Sequence, residues 1–503
     1  MAAYPSRPAR LRLFRKIWNI ASVVFACLAV PAQAQEPAIV PLARVIGRHL
    51  SDGQLAAVHE KLSPATQQAL PLPQFERVWK TVIGQFGELQ GVGEPVLAGP
   101  PESAMALLPL RFKNGSLDLK IAAPHGAIEV FLLVPHVDGA APAWVAPDYV
   151  FAASFRELDV EVGRTALRLP ATLALPAGSG PFPAVVLVHG SGPNDRDESI
   201  GANKPFKDLA HGLASRGVAV LRYDKRTRVH PEAFKSGAYT IHDEVLEDAA
   251  WAIEQLAARP DIAADRIYIL GHSLGGTVAP RIAELSPQVA GLIIAAGATR
   301  PIPLLMQEQM EYLAKAGSNS GGPAELNERL VSDIKKALAA QPGPDSTPLL
   351  GATASYWGDL NAYDAAKAAA RFTKRILIIQ GGRDYQVTLK DLERYRSALS
   401  GRPDAVIKVY PDLNHLLMPG KGPSLPAEYS VPSHVAKEVI EDIADFIKAT
   451  SAALFSSIGE LRYEGTTPPY SARDIAGSAA ASTAMQLRCF LSCCEGSPGI
   501  VFR

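Results

Sequence analysis

Apolar positions change their period twice along the chain. Between Ala38 and Leu70, the residues Leu42, Val45, Ile46, Leu50, Leu55, Val58 and Leu62 recur at helical spacing. Asp52-Gly53 interrupts the run, so two helices are predicted there, and Phe75–Phe86 predicts another, ended by Gly87 and Gly91. The period then shortens. Pro95–Leu97, Ala104–Phe112, Leu117–Ala122 and Ala127–Val134 read as short strands separated by Gly, Asn and Pro. Helices followed by consecutive strands predict a small α+β domain over residues 37–145. The Pro- and Ala-rich Pro135–Pro147 reads as the linker that leaves it.

From about residue 152 apolar runs alternate with amphipathic ones. Ala166–Leu175, Ala184–Val188, Val218–Tyr223, Ile267–Leu270, Gly291–Ala295, Ile376–Gln380 and Ala405–Tyr410 are strand candidates. Phe206–Arg216, His242–Ala258, Thr277–Leu285, Thr388–Leu399 and His434–Lys448 are the helices between and after them. Most of these strands are short and apolar throughout, as expected when both faces of a parallel sheet are covered. The alternation predicts a doubly wound α/β sheet over residues 152–450. Residues 300–370 interrupt it with helices and a Pro/Gly stretch at Gln341–Pro348, in the position of a cap over a site at the sheet edge. Residues 451–503 are rich in Ala, Ser and Gly without periodicity and are expected to be disordered. There is no internal repeat.

The first 34 residues have the order of a secretory signal. Arg7, Arg10, Arg12, Arg15 and Lys16 precede the uncharged run Ile17–Val30, and Ala32-Gln33-Ala34 offers small residues for cleavage. That run is too short to span a bilayer, and Phe25 is a poor fit two residues before Cys27 for a lipoprotein site. The expectation is an exported chain, periplasmic or secreted, starting near Gln35 and without a stable membrane span. An uncleaved anchor is the alternative. Cys489, Cys493 and Cys494 lie in the last fifteen residues, so the body carries no disulfide framework and must be held by its core. Hydrophobic residues make up 48% of the 503, and Lys+Arg and Asp+Glu both number 50. A balanced charge provides no field to gather nucleic acid, which is not an expected partner.

Chemistry concentrates at Gly271-His272-Ser273-Leu274-Gly275, which follows an apolar strand and opens a Gly/Ala-rich helix. A serine hydroxyl is a weak nucleophile until a strained turn lifts it beside a base. An ordinary strand-to-helix turn is the alternative for the pentapeptide taken alone. In a doubly wound sheet with such a turn, acid and base follow from loops at the ends of later strands. Two histidines remain downstream. His415 lies in a loop just past a strand and is the candidate base; His434 opens a helix and reads as solvent-facing. Asp384, after Gly381-Gly382 at a strand end, is the candidate acid; Asp412 and Asp391 compete, the latter read as a solvated helix residue. The backbone N–H groups of Leu274 and of Ser191, in His189-Gly190-Ser191-Gly192, are candidate oxyanion donors. His189 reads as a structural residue of that loop. Asp195, Arg196 and Asp197 either shape the entrance or pair with Asp224, Lys225 and Arg226 in a structural network. Tyr356 and Trp357 are candidate walls of an acyl pocket, or core of the cap.

These segments together carry a resemblance. His189–Glu198, Arg222-Tyr-Asp-Lys-Arg226, Gly271–Gly276 and Gln380–Val387 resemble a bacterial α/β-hydrolase esterase family with prolyl aminopeptidase-like relatives, over about residues 155–450. Phe75–Trp79 and Leu108–Phe112 are similar to a small NTF2/cystatin-like domain fused ahead of such hydrolases. The resemblance implies an α/β-hydrolase fold and carboxylesterase activity on short acyl esters through Ser273, Asp384 and His415. No cofactor or metal is implied. A serine aminopeptidase or acyltransferase on the same triad, with Glu308, Glu311, Glu325 or Glu328 for a free amine, is the second reading. A hydrolase fold kept only for binding is the third. The N-terminal domain is open between a binding module and an element of a homo-oligomer.

Overall fold

The computed structural model describes residues 36–98, 105–136, 144–164, 166–235, 237–316 and 324–449. The signal-like segment, the stretch 451–503 and its three cysteines lie outside them.

Helices α1 (Ile39–Ser51), α2 (Leu55–His59), α3 (Pro64–Ala69) and α4 (Leu72–Phe86) precede strands β1 (Leu89–Val92), β2 (Val96–Leu97), β3 (Met105–Phe112), β4 (Gly115–Ala122) and β5 (Val130–Pro135). The strands form an antiparallel sheet in the order β1-β3-β4-β5, with β2 also on β3. Ile46, Phe75, Leu108, Leu119 and Ile121 are among the buried residues of its core. Two differences from the sequence expectation have local causes. Ser63 accepts a hydrogen bond from the Thr66 amide and so caps a third helix, with Pro64 in its first turn. Gly91, read as a helix stop, instead lies in β1, where the register on β3 shifts between Leu89 and Gly91.

The second sheet begins with β6 (Phe155–Val162), β7 (Leu169–Pro176), β8 (Phe182–Val188), helix α5 (Pro205–Ala214), β9 (Ala219–Tyr223), α6 (Arg226–Val229), α7 (Glu247–Ala257), β10 (Ile262–His272), α8 (Leu274–Leu285) and β11 (Gly291–Ala295). Then come α9 (Ile302–Lys315), α10 (Ala324–Ala339), the hairpin β12 (Pro348–Leu349) and β13 (Ala352–Thr353), α11 (Ala354–Ala362) and α12 (Ala365–Arg371). The sheet resumes with β14 (Arg375–Gly381), α13 (Leu389–Ala398), β15 (Ala405–Tyr410) and α14 (Lys437–Lys448). The order is β15-β14-β11-β10-β8-β9-β7-β6, parallel from β15 to β9 and antiparallel at β7 and β6. This is the α/β-hydrolase arrangement, with α9–α12 inserted after β11.

Period two explains the uniformly apolar strands. Val186, Ile267, Ile269, Leu292, Ile294, Ile376 and Ile378 enter the core on one face with α7, α8 and the inserted helices. Their neighbours Val185, Leu187, Tyr268, Leu270, Ile293, Leu377 and Ile379 enter the other with α5 and α14. Each such aliphatic side chain contributes about 1.5–3 kcal/mol by leaving water. The resulting rigidity holds the carboxyl ends of β8, β10, β14 and β15 in fixed relation. No helix among the described residues is long and apolar enough to cross a membrane.

Candidate functional site

Ser273 follows β10 immediately and stands at the cap of α8 with φ +53° and ψ −116°. A non-glycine residue there costs about 1–3 kcal/mol, which the surrounding turn must over-determine. Its amide donates to the Ala295 carbonyl at 2.9 Å, and its carbonyl accepts from Thr277 N at 2.9 Å. Gly275 is required by close approach: a Cβ there would stand 2.2 Å from the Val188 carbonyl oxygen. The helix therefore starts at Leu274, three residues earlier than its apolar pattern predicts.

The candidate base and acid come together as the sequence suggests. His415 Nδ1 lies 2.7 Å from Asp384 Oδ2, both residues buried. The other carboxylate oxygen accepts from the amides of Gln386 (2.8 Å) and Val387 (3.0 Å), and Gln380 Nε2 donates to Oδ2 at 3.2 Å. Asn414 Oδ1 accepts from the amides of Leu416 and Met418, fixing the loop that carries His415. Arg383 N donates to Leu413 O, tying the acid loop to the base loop. His272 Nε2 donates to the His415 carbonyl at 2.9 Å and its ring lies 4.8 Å from that imidazole, so the serine turn and the base adjoin. Among the described residues no hydrogen bond joins Ser273 Oγ to the imidazole.

The loop after β8 reaches the same point. A Cβ on Gly190 would lie 3.2 Å from Ser273 Cβ and 3.7 Å from Oγ, so glycine keeps this approach open. The Gly190 amide is already taken by Glu198 Oε1 at 2.6 Å. The amides of Ser191 and Leu274 have no acceptor among the described residues, the latter as the first N–H of its helix. Both candidate donors thus remain open to a ligand.

Other expectations are redistributed. Asp391 does not face solvent: it is fully buried and accepts from Thr299 N and the Arg300 guanidinium, because the chain after β11 closes over α13. His434 is not a solvated helix residue either. It pairs with buried Asp208, whose carboxylate raises its pKa above the ordinary value. Asp412 is exposed. Arg196 pairs with Asp224, Arg222 and Lys204 with Asp197, Lys225 with Glu244, and Arg226 with Asp248, so these charges form ion pairs beside the site. Trp357 is fully buried and donates to the Leu349 carbonyl at 2.7 Å, with Tyr356 edge-on against it; both belong to the cap's packing.

Sequence reasoning missed the pair Glu198–His272. Both are buried and 2.8 Å apart through Oε2 and Nδ1, an ionic contact without the alignment of a hydrogen bond. Burial opposes both charges, but each partner outweighs it: Glu198 lies below its usual range and His272 above. With Nε2 facing a carbonyl and Nδ1 a carboxylate, His272 suits an imidazolium. The only sequence signal was its place between strand and serine.

His189, by contrast, is neutral. Burial lowers its pKa to about 4, while Nε2 donates to the Asp195 carbonyl and the ring packs on Phe206 and Tyr223. Unfolded, it takes a proton below its ordinary 6.5; folded, it refuses one until near 4. Between those values the unfolded chain binds more protons, so stability falls as pH falls. Urea unfolding should show wild type losing on the order of 3 kcal/mol more than His189→Gln between pH 6.5 and 4. Equal losses would contradict the buried neutral imidazole.

A family model described as serine aminopeptidase, S33 (Hydrolase_4) matches residues 180–421. The chain is 39% identical over 400 residues to esterase EstD of Thermotoga maritima, covering 79% of this chain and 92% of that protein. It is 25% identical over 202 residues to acyl-coenzyme A thioesterase 3 of Mus musculus, 40% of this chain and 42% of that one. Among solved structures, an esterase of Pyrococcus furiosus aligns at 19% identity and a TM-score of 0.38, over 61% of this chain and 96% of that one.

Proposed function

The chain belongs to the α/β-hydrolase family that includes esterase EstD and the S33 serine aminopeptidases, and from that premise we propose that it is an exported serine carboxylesterase working through Ser273, His415 and Asp384. Carboxylic ester hydrolysis is the activity its likeness to EstD indicates. The observation that carries the residue assignment is the 2.7 Å contact between His415 and Asp384 beside a serine held at positive φ. In this reading His415 takes the Ser273 proton as Oγ attacks the ester carbonyl. The amides of Leu274 and Ser191 stabilise the oxyanion, and the alcohol leaves with the proton from His415. Water, activated by the same imidazole, then releases the acid. Asp384 holds the tautomer and stabilises the imidazolium without taking the proton. Export rests on the basic segment, apolar run and Ala-Gln-Ala of the first 34 residues.

The aminopeptidase reading needs a free carboxylate for the substrate's amine. Glu308 is already balanced by Arg300 and Lys390, Glu311 bonds Gln307 and faces solvent, Glu328 is exposed, and the Glu325 side chain lies outside the described residues. Ester preference is therefore the stronger expectation, and a retained fold without chemistry is set aside. Protein from the exported fraction of cells expressing the full chain should begin near Gln35 and cleave short p-nitrophenyl esters well above aminoacyl-nitroanilides. A preference for the anilides would overturn the esterase assignment, and an intact Met1 would overturn the processed, exported one.

A further inference from the structure

Two buried ion pairs converge on a single glycine beside the nucleophile. Lys225 Nζ donates to the Gly190 carbonyl at 2.9 Å and lies 2.6 Å from Glu244 Oε1; both residues are buried. Asn194 Nδ2 adds a longer contact to the same carbonyl at 3.3 Å. On the other side of Gly190, its amide is held by Glu198, itself paired with His272. Both peptide planes that meet at this residue are therefore fixed by charge.

The Gly190–Ser191 peptide is trans, so its N–H points away from its C=O. An ammonium on the carbonyl thus sits behind the very N–H that is open to a ligand. Drawing electron density toward the carbonyl oxygen strengthens that N–H as a donor, as in any chain of hydrogen bonds in a low-dielectric interior. An ordinary turn needs no buried cation. We propose that Lys225 is a positioning residue for ester hydrolysis, which orients and polarises the Gly190–Ser191 peptide so that the Ser191 amide stabilises the oxyanion. The proposal rests on the esterase reading, and it adds a cation that acts through a peptide without touching substrate. Glu198 supports it by holding the preceding plane.

A purely structural Lys225–Glu244 bridge would predict damage to stability alone, and the test separates the two. Lys225→Met leaves a buried carboxylate unpaired, so Lys225→Met/Glu244→Gln, which removes both charges at similar volume, is the informative variant. Lys225→Gln, which keeps a neutral donor, runs beside it in case the double variant does not fold. Active sites are counted by fluorophosphonate labelling, turnover is measured with p-nitrophenyl acetate, and affinity with a trifluoromethyl ketone that forms a tetrahedral adduct. The expected result is kcat per labelled site reduced about tenfold or more, KM within about twofold, and ketone affinity reduced by the same factor as kcat. Folded variants that turn over per site like wild type would overturn the role of Lys225. That outcome leaves the serine mechanism standing, whereas wild-type protein unlabelled at Ser273 would remove the mechanism itself.

Discussion

Ser273→Ala is expected to lower kcat for ester hydrolysis by about 10⁵–10⁶-fold while the protein folds as before. The structural half of that expectation follows from what the hydroxyl does not do. Ser273 Oγ accepts and donates no hydrogen bond among the described residues, so its removal orphans no partner. The backbone contacts that define the turn, Ser273 N to Ala295 O and Thr277 N to Ser273 O, are indifferent to the side chain. Alanine meets the same strain at φ +53° as serine, and Gly275 still lets helix and strand approach. Thermal unfolding should therefore stay within a few degrees of wild type. The catalytic half is absolute in kind: without Oγ there is no acyl-enzyme, and fluorophosphonate labelling disappears with the activity. Substrate affinity should change little, because the Ser191 and Leu274 amides remain. A folded variant with wild-type turnover would require a different nucleophile.

The parts of this site that were legible in the sequence are those whose chemistry demands a local pattern. The turn around Ser273 announces itself through its glycines, because the close contact with Val188 forbids side chains there. Asp384 follows β14, an apolar run because both faces of that strand are covered, and His415 follows the half-buried edge strand β15, whose run only Lys408 interrupts. The edge strand β6 escaped because Arg156, Asp159 and Glu161 are exposed and Glu157 turns to Arg222 and His211, leaving only a weak alternation of apolar residues.

Partnerships across the fold were not legible. Asp391 looks like any helix-surface carboxylate until Thr299 and Arg300, more than ninety residues earlier, are brought against it. The charges at 195–197 and 222–226 suggest a network, yet the sequence cannot say that Lys225 addresses the Gly190 carbonyl or that Glu198 addresses its amide. Periodicity reports which face is buried; it carries no record of which peptide a buried charge will meet. That is why the nucleophile and its relay came from the motif, while the supports of the oxyanion loop came only from the fold.

Asp384→Asn is expected to cost about 10³–10⁴-fold in kcat and about 1–3 kcal/mol of stability, and the hydrogen bonds around the carboxylate say why. Oδ1 accepts from two fixed amides, Gln386 N and Val387 N, which only an oxygen can satisfy. Asparagine must therefore keep its carbonyl oxygen there and turn its NH₂ toward His415 Nδ1. Gln380 Nε2, which loses its acceptor at Oδ2, still donates to the Val387 carbonyl at 2.8 Å, so the cost is confined to the second N–H of the new amide, which faces the Gln380 NH₂. Facing a donor, Nδ1 becomes an acceptor and the imidazole proton moves to Nε2, the atom that must receive the serine proton. The base is present, correctly placed and in the wrong tautomer. Nitrogen chemical shifts of His415 should show the proton on Nδ1 in wild type and on Nε2 in the variant, and fluorophosphonate labelling should slow with kcat. Unchanged turnover in the variant would move the acid's role to Asp412, the exposed carboxylate three residues before His415 on the same loop.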